Sequence, residues 1–158
     1  MTKRHPLDTD WDRMPDVGLE KWPDYDTDTA AWAEHQAAAL HGRRVDSLDW
    51  DHLADEILDV ARSERRELEY RVSAVLATLA RQLLGANAPG DARLLCEQRA
   101  LVLMQLSSCP SLSRWLKEPT WLARCWAESV VSLGVLDLRV SDLPEECPFG
   151  QNDLLQSE

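Results

Sequence analysis

The sequence predicts an all-α protein, a bundle of about five helices with an irregular N-terminal arm and an extended C-terminal wrap. Its 25 Leu and 17 Ala outnumber 10 Val, 1 Ile, 1 Phe and 2 Tyr, and leucine and alanine lose little side-chain freedom in a helix. Apolar residues recur every three or four positions, with prolines and glycines between the periodic stretches. For a chain of 158 residues, we expect one helical domain over residues 25–158 after an arm over residues 1–24.

The arm has neither a helical nor a strand period, and three prolines and one glycine interrupt it. Its two tryptophans, Trp11 and Trp22, indicate that it packs on the body, because linkers rarely carry large aromatic residues. The third predicted helix is apolar nearly all round and therefore needs cover on every side. We expect the arm or a second copy of the protein to provide that cover.

Capping residues and helix breakers divide the remaining chain. Asp, Ser and Thr satisfy the free N–H groups at a helix start, and Gly and Pro favour its end. The predicted helices run from Asp26 or Thr27 to about Leu40 with Gly42 as the stop, from Asp49 for about 35 residues, from Asp91 to about Leu106, from Pro110 to Leu116, and from Pro119 to Gly134. One further helical turn is expected near Asp153–Leu155, within the C-terminal wrap.

The second helix carries two apolar stripes separated by a polar run. This run, Arg62–Glu67, is compatible with a bend near Ser63. We expect both stripes to face the core, because a helix of a globular protein buries its apolar side. The first stripe consists of Trp50, Leu53, Ile57, Val60 and Ala61, and the second of Leu68, Val72, Val75, Leu79 and Leu83.

Acidic residues are concentrated at the two ends of the chain. The net charge is −11 overall, −8 in residues 24–59 and −5 in residues 133–158, but +3 in residues 60–132. Nucleic acid is a polyanion that binds to a basic stripe, so this distribution disfavours DNA and RNA as partners. A solvated acidic surface is the simplest interpretation. The alternatives are acidic flanks that fold back over the basic middle, or that attract a basic partner protein.

No segment has the pattern of a membrane span or a secretory signal. A span needs roughly 18 consecutive apolar residues, whereas the densest apolar run, Ala100–Met104, has five. The start of the chain, Met1–Pro6, is charged and is not followed by an apolar core. We therefore expect a cytoplasmic protein that does not enter a membrane.

The cysteines and the sequence motifs predict no cofactor. Cys96, Cys109, Cys125 and Cys147 are separated by 13, 16 and 22 positions, without the close pairs typical of a zinc site. We expect reduced thiols that pack as small apolar residues. The sequence also lacks the glycine-rich phosphate loops and the common hydrolase motifs.

Two pairs of charged residues form a candidate polar cluster. Glu64 with Arg65, and Glu97 with Arg99, lie on helices that we expect to face each other, where they would form an ion-pair clamp. Glu56 extends the same set. A carboxylate left unpaired in an apolar pocket would instead have a raised pKa and serve as a general acid or base.

The C-terminal wrap supplies two further members of this cluster. Glu145 and Glu146 precede Cys147 in a stretch bracketed by prolines, which fixes the backbone and the side-chain directions. We expect Cys147 to fill the core. Glu145 or Glu146 would cap a helix end or pair with an arginine such as Arg65.

The start of the second helix carries side chains of the types that bind metal ions. His52 and Glu56 stand four residues apart and share a helical face, where they could bind a metal with Asp55 or Asp59. A solvated acidic face is the preferred interpretation, because metal sites commonly recruit ligands from more than one short segment. We therefore predict no metal.

Six segments, in this order along the chain, together resemble the bacterial family described as domain of unknown function 29. The resemblance covers about residues 25–155 and implies an all-helical fold, but no activity. The segments are Tyr25–Asp28 followed by Trp32 and Gln36, Leu53–Ile57, Arg62–Arg66, Glu97–Arg99, Pro110–Leu112, and Pro144–Pro148.

These observations predict a non-enzymatic helical interaction module whose partner is another protein or a second copy of the chain. The alternative is a small, hydrolase-like enzyme that uses the carboxylate and arginine cluster between helices, with or without a divalent metal. The two hypotheses differ in what they require. The module needs an apolar contact surface and paired charges, whereas the enzyme needs a concave pocket with unpaired carboxylates.

Overall fold

The computed structural model describes residues 23–136 and 138–156. The chain divides into two compact units, the first ending at Asp59 and the second beginning at Val60. Within the described residues the regular structure is helical and contains no strand, which confirms the all-α prediction. The α-helices are α1 (Thr29–His41), α2 (Trp50–Leu83), α3 (Asp91–Ser108), α4 (Pro119–Val135) and α5 (Gln151–Leu155), with 3₁₀ helices at Val45–Ser47, Pro110–Lys117 and Val140–Asp142.

The expected packing of the arm through Trp11 and Trp22 lies outside the described residues. The prediction of a single domain over residues 25–158 stays a prediction. The described helices each belong to one of the two units, except α2, which begins in the first and ends in the second.

The first helix starts later than predicted. Asp28, and not Asp26 or Thr27, caps α1, because its side chain accepts a hydrogen bond from the N–H of Ala31 at 3.0 Å. Residues 25–27 form a turn before this cap. At the other end the N–H of Gly42 bonds to the carbonyl of Ala38 at 3.0 Å, which confirms the predicted stop.

The second helix is unbroken from Trp50 to Leu83, and its two apolar stripes differ in burial. The second stripe is buried as predicted from Leu68 to Leu79, but the prediction is wrong for its last member, Leu83, which is 54% exposed at the end of the helix. The expectation that the first stripe faces the core is wrong, since Trp50 is 60% exposed and Ile57 is 68% exposed. The physical reason is that polar positions of this part of α2, His52 and Glu56, make the side-chain hydrogen bonds described in the first unit.

In the second unit, α3 runs antiparallel to α2, and α4 runs in the same direction as α2. The antiparallel pairing follows from Arg71, which bonds to the carbonyl of Leu101 at 2.8 Å, and from the contact of Gln105 with Glu64. The core between these helices is composed of Leu68, Val72, Val75, Leu76, Leu79, Leu95, Val102, Leu112, Leu116, Trp121, Cys125, Trp126, Leu133 and Leu154 among others.

The C-terminal wrap is fixed to this core at several points. The indole N–H of Trp126 donates to the carbonyl of Pro144 at 3.1 Å, and the ring of Phe149 lies edge-on to Trp126. Leu154 of α5 is fully buried. The predicted helical turn at the end of the wrap is therefore a packed element.

The four cysteines are free thiols. Cys125 is fully buried and burial raises its pKa to about 12, as expected for a thiol that packs as a small apolar residue. Burial also raises the pKa of Cys147, which lies partly in the core. Cys96 differs, because it lies on the exposed side of α3.

Across the described part of the chain, none of the helices has the length and apolar character required to cross a membrane.

Candidate binding groove

A groove of about 800 Å³ lies in the second unit between α2 and α4. Its size is within the range of about 300–1,000 Å³ that is typical of ligand sites. The residues that line it are Arg65, Arg66, Glu69, Tyr70, Ser73, Ala74, Ala77, Thr78 and Arg81 from α2, Leu94 from α3, and Arg124, Glu128, Ser132, Leu133 and Leu136 from α4 and its end.

The two walls of the groove are parallel helices that present one face each. On α2 the lining residues repeat every four positions from Arg65 to Arg81, which corresponds to about 24 Å at 1.5 Å per residue. On α4 they run from Arg124 to Leu136, about 18 Å by the same measure. The groove is therefore elongated along the two helices.

Two polar contacts, one helical turn apart, connect α2 and α4. Arg124 of α4 forms a bidentate ion pair with Glu69 of α2, one arm of which measures 2.9 Å. One turn further on, the hydroxyl of Ser73 donates to the carboxylate of Glu128 at 3.2 Å. The second contact lies four residues after the first on both helices, so α2 and α4 are parallel and the two contacts fix their register.

The groove has room at its floor because the α2 side chains that line it there are small. Ala74, Ala77 and Thr78 are short, and the hydroxyl of Thr78 bonds back to the carbonyl of Ala74 at 3.1 Å. Leu133, which is buried, and Leu136, which is exposed, contribute further apolar lining from α4 and its end. A polar rim thus surrounds an apolar interior.

The charges around the groove are mostly paired at one end and unpaired at the other. Arg81 pairs with Asp91 at 2.7 Å. Arg65 instead lies over the ring of Trp115, with its guanidinium carbon 5.0 Å from the ring centre. Neither Arg65 nor its exposed neighbour Arg66 forms an ion pair with any described residue. This end of the groove therefore carries uncompensated positive charge.

The predicted polar cluster is distributed over separate sites. Glu64 accepts a hydrogen bond from the side chain of Gln105 at 3.1 Å and lies 3.8 Å from the thiol of Cys109. Arg65 reaches the groove. Among the described residues, these two neighbours form no hydrogen bond or ion pair with Glu97 or Arg99.

The members on α3 and in the wrap also have their own surroundings. Glu97 pairs with Arg93 on the exposed face of α3 at 2.8 Å. Arg99 is buried and donates two hydrogen bonds, of 2.6 and 3.1 Å, to the backbone carbonyl of Asp153 in α5. Glu145 and Glu146 are exposed in the wrap.

Glu56 belongs to an aromatic cluster in the first unit. The hydroxyl of Tyr25 donates to the carboxylate of Glu56, and the ring of Tyr25 stacks on the imidazole of His52 at 4.1 Å between ring centres. Trp32 meets Tyr25 edge-on at 4.9 Å. The hydrogen bond and nearby carboxylates raise the pKa of Tyr25. His52 and Glu56 are thus bridged by a tyrosine.

Asp49 organises this cluster. Its side chain accepts hydrogen bonds from Nδ1 of His52 at 2.7 Å, from the backbone N–H of His52 at 3.3 Å and from the indole of Trp32 at 3.2 Å. Its own N–H donates to Gln36 at 2.9 Å. The bond between the two side chains raises the pKa of His52 and lowers that of Asp49. The sequence indicated Asp49 only as a helix cap.

The groove was not predicted as a site either. Its signal in the sequence is the recurrence of arginine and small residues along one face of α2, which local periodicity alone does not separate from a solvated helix face. In the described part of the chain, no three His, Cys, Asp or Glu side chains are grouped as metal ligands would be.

The fold and this site define an all-helical protein with a long, polar-rimmed groove between two parallel helices. The chain belongs to the family described as Domain of unknown function DUF29, whose model matches residues 25–158. Comparison with curated proteins and with solved structures gave no match.

Proposed function

We propose that this protein is a non-enzymatic helical interaction module and that its groove binds an acidic, amphipathic α-helix of a protein partner. The observation that carries this proposal is the groove itself, which combines an apolar floor with two arginines, Arg65 and Arg66, that lack a carboxylate partner among the described residues. Helices bind to grooves of this kind through apolar residues spaced three and four apart.

The dimensions of the groove suit a helix. Walls of about 18 to 24 Å correspond to about 12 to 16 residues of a bound helix at 1.5 Å per residue. The short side chains of Ala74 and Ala77 leave room for larger apolar side chains of a partner. The exposed ring of Tyr70 at the rim adds an aromatic contact of the type that is enriched at interfaces.

The charges favour an acidic peptide over a nucleic acid. The carboxylates of Glu69 and Glu128 lie in the same groove as the arginines, and they would repel a continuous line of phosphates. A helix can instead place its few acidic residues beside Arg65 and Arg66. The proposed partner is accordingly a protein, with no role for nucleic acid or a membrane.

The pairing of the carboxylates supports the module over the enzyme. Glu56, Glu64 and Glu97 each have a hydrogen-bond partner or a counter-charge from the protein. A general acid or base is instead expected to lie in a pocket with its carboxylate available to a substrate. The groove contains two carboxylates, and both have partners: Glu69 of α2 pairs with Arg124 of α4, and Glu128 of α4 accepts a hydrogen bond from Ser73 of α2.

A designed peptide tests this proposal directly. The probe is a fluorescent 16-residue helix, with the length taken from about 24 Å of groove, that carries leucines at spacings of three and four and glutamates elsewhere. We expect the full chain to bind it, and Arg66→Glu to weaken binding about tenfold with a smaller dependence on salt. Fluorescence anisotropy at two ionic strengths measures both effects.

The controls separate the groove from general charge attraction. Arg139→Glu makes the same charge change at an exposed position outside the groove and should leave binding unchanged. A peptide with lysines in place of the glutamates should not bind. Equal binding of both peptides, or equal weakening by the two variants, would contradict the proposal.

A further inference from the structure

We propose that the helix bound in the groove is supplied by a second copy of this chain, through the acidic, apolar N-terminal part of α2. This inference rests on the proposed function, because it names the partner of that groove. The contacting surface of the second copy is the α2 stripe, which comprises Trp50, Ala54, Ile57 and Leu58.

The α2 stripe is an exposed apolar surface with helical spacing. Trp50, Ala54 and Ile57 recur at intervals of four and three residues, so they lie on one side of the helix. Leu58 lies beside them and is also exposed. Single exposed apolar residues are common, but a group that includes a tryptophan and an isoleucine marks an interaction surface.

The stripe is separate from the contacts that fold the first unit. Asp49, His52 and Glu56 hold Tyr25 and Trp32, and they lie on a different side of the helix from Trp50 and Ile57. The first unit thus uses a polar face of α2 for its own described contacts. The apolar face takes part in none of the described hydrogen bonds or ring contacts, and its large side chains are exposed.

The charge of this segment complements the groove. Between Trp50 and Asp59 the chain has four acidic residues and no lysine or arginine. The groove presents Arg65 and Arg66 without carboxylate partners in the described residues. Opposite charges at the edges of an apolar contact orient the two partners and raise the rate of association.

The lengths of the two surfaces also agree. The segment from Trp50 to Asp59 extends over about 15 Å as a helix, within the groove length of about 18 to 24 Å. Each copy of the chain carries one stripe and one groove, and the two surfaces differ. Each contact joins the stripe of one copy to the groove of another, so two copies that each lack a different surface can still form one complete contact.

Complementation between two variants tests the inference on the full chain. Ile57→Asp places a charge in the stripe at an exposed position, and Arg66→Glu reverses the charge at the groove. We expect the wild-type chain to self-associate, each variant alone to associate at least tenfold more weakly, and an equimolar mixture of the two variants to form a one-to-one dimer. Sedimentation velocity over a concentration series measures all three.

Met104→Asp is the matched control. Met104 is 59% exposed on α3, outside the groove and the α2 stripe, so its substitution should leave association unchanged. Circular dichroism melting of each variant checks that the helices remain folded. Loss of association in Met104→Asp but not in Ile57→Asp would overturn the inference, as would a mixture that stays monomeric.

The two proposals fail in different ways. A wild-type chain that is monomeric at every concentration, but binds the designed acidic peptide in its groove, would overturn self-association and keep the proposed function. A monomeric chain that also fails to bind the peptide would overturn both.

Discussion

At the scale of single residues, Asp49 links the end of the first helix region to the start of α2. It precedes Trp50, accepts a bond from the N–H of His52 as a helix cap does, and also binds the indole of Trp32. The same carboxylate bonds to the imidazole of His52. The side chain of Asp49 therefore caps α2, holds the indole of Trp32 and forms an ion pair with His52.

This arrangement predicts a dependence of stability on pH with two limits. The pKa of His52 is raised from 6.5 by its bond to Asp49, with smaller contributions from the charges of Asp26 and Asp51. Its stabilising contribution is complete below pH 6.5 and is lost as the pH rises through the raised pKa. The pKa of Asp49 is lowered from 3.8, so its contribution is present above pH 3.8 and is lost as the pH falls through the lowered value.

We expect the contact between Asp49 and His52 to stabilise the first unit most between pH 3.8 and pH 6.5, where Asp49 is ionised and His52 is protonated. An NMR titration of His52 should give a pKa above 6.5, and Asn in place of Asp49 should return it toward the ordinary value while keeping a good helix cap. Thermal unfolding of wild-type chain and Asp49→Asn across pH 4 to 8 compares the stabilities. An unchanged His52 titration in Asp49→Asn would contradict this assignment.

At the scale of elements, α5 is a helix of five residues that cannot be stable in isolation. It is held by the burial of Leu154 and by Arg99 of α3, whose guanidinium donates twice to the carbonyl of Asp153. The carboxylate of Asp153 caps the same turn by accepting from the N–H of Gly150 at 2.8 Å. A buried arginine thus fixes the C-terminal wrap.

Substitution of Arg99 should release this element. Arg99→Met keeps much of the side-chain volume but removes the two hydrogen bonds made by this buried arginine, and we expect a loss of about 2 kcal/mol in the free energy of unfolding. Urea denaturation measures the loss, and limited proteolysis should show earlier cleavage within residues 144–156.

Arg93→Met is the matched control on the same helix. Arg93 is exposed and pairs with Glu97 one turn away, so solvent screens this ion pair and its loss should change stability little. Its proteolysis pattern should be that of the wild-type chain. Similar losses of stability in both variants would show that α5 does not depend on Arg99.

The elements also show which structural features the sequence could predict. Helices were predicted from leucine spacing and from caps such as Asp49, because these signals are local. The exposure of Trp50 and Ile57 could not be predicted, because apolar residues have the same spacing on buried helix faces and on exposed ones. The partners of Glu64 and Arg99 lie 41 and 54 residues away, which is beyond local pattern analysis.

At the scale of the whole molecule, the distribution of charge and of apolar surface follows the division into two units. The first unit combines high acidity with the exposed α2 stripe, and the second unit contains the groove and the basic segment of the chain, residues 60–132. The sequence predicted this charge layout but not the groove. Its walls come from α2 and α4, whose lining residues are about 55 positions apart in sequence, as in the pair of Glu69 and Arg124.

The thiols provide a reporter of global unfolding of the second unit. Cys96 is exposed and should react rapidly with a thiol-specific reagent at pH 8, whereas Cys125 is fully buried with a pKa of about 12 and should be protected. Because Cys125 packs between α2 and α4, its sulfur becomes accessible only when these helices separate. We therefore expect its labelling rate to rise with urea in parallel with loss of helical circular dichroism, while that of Cys96 stays nearly constant.

Mass spectrometry of labelled peptides separates the two sites, and Cys96→Ser removes the fast phase as a control. Rapid labelling of Cys125 in the native protein would mean that the walls of the groove open without unfolding, and the rigid groove on which helix binding depends would then have to be abandoned.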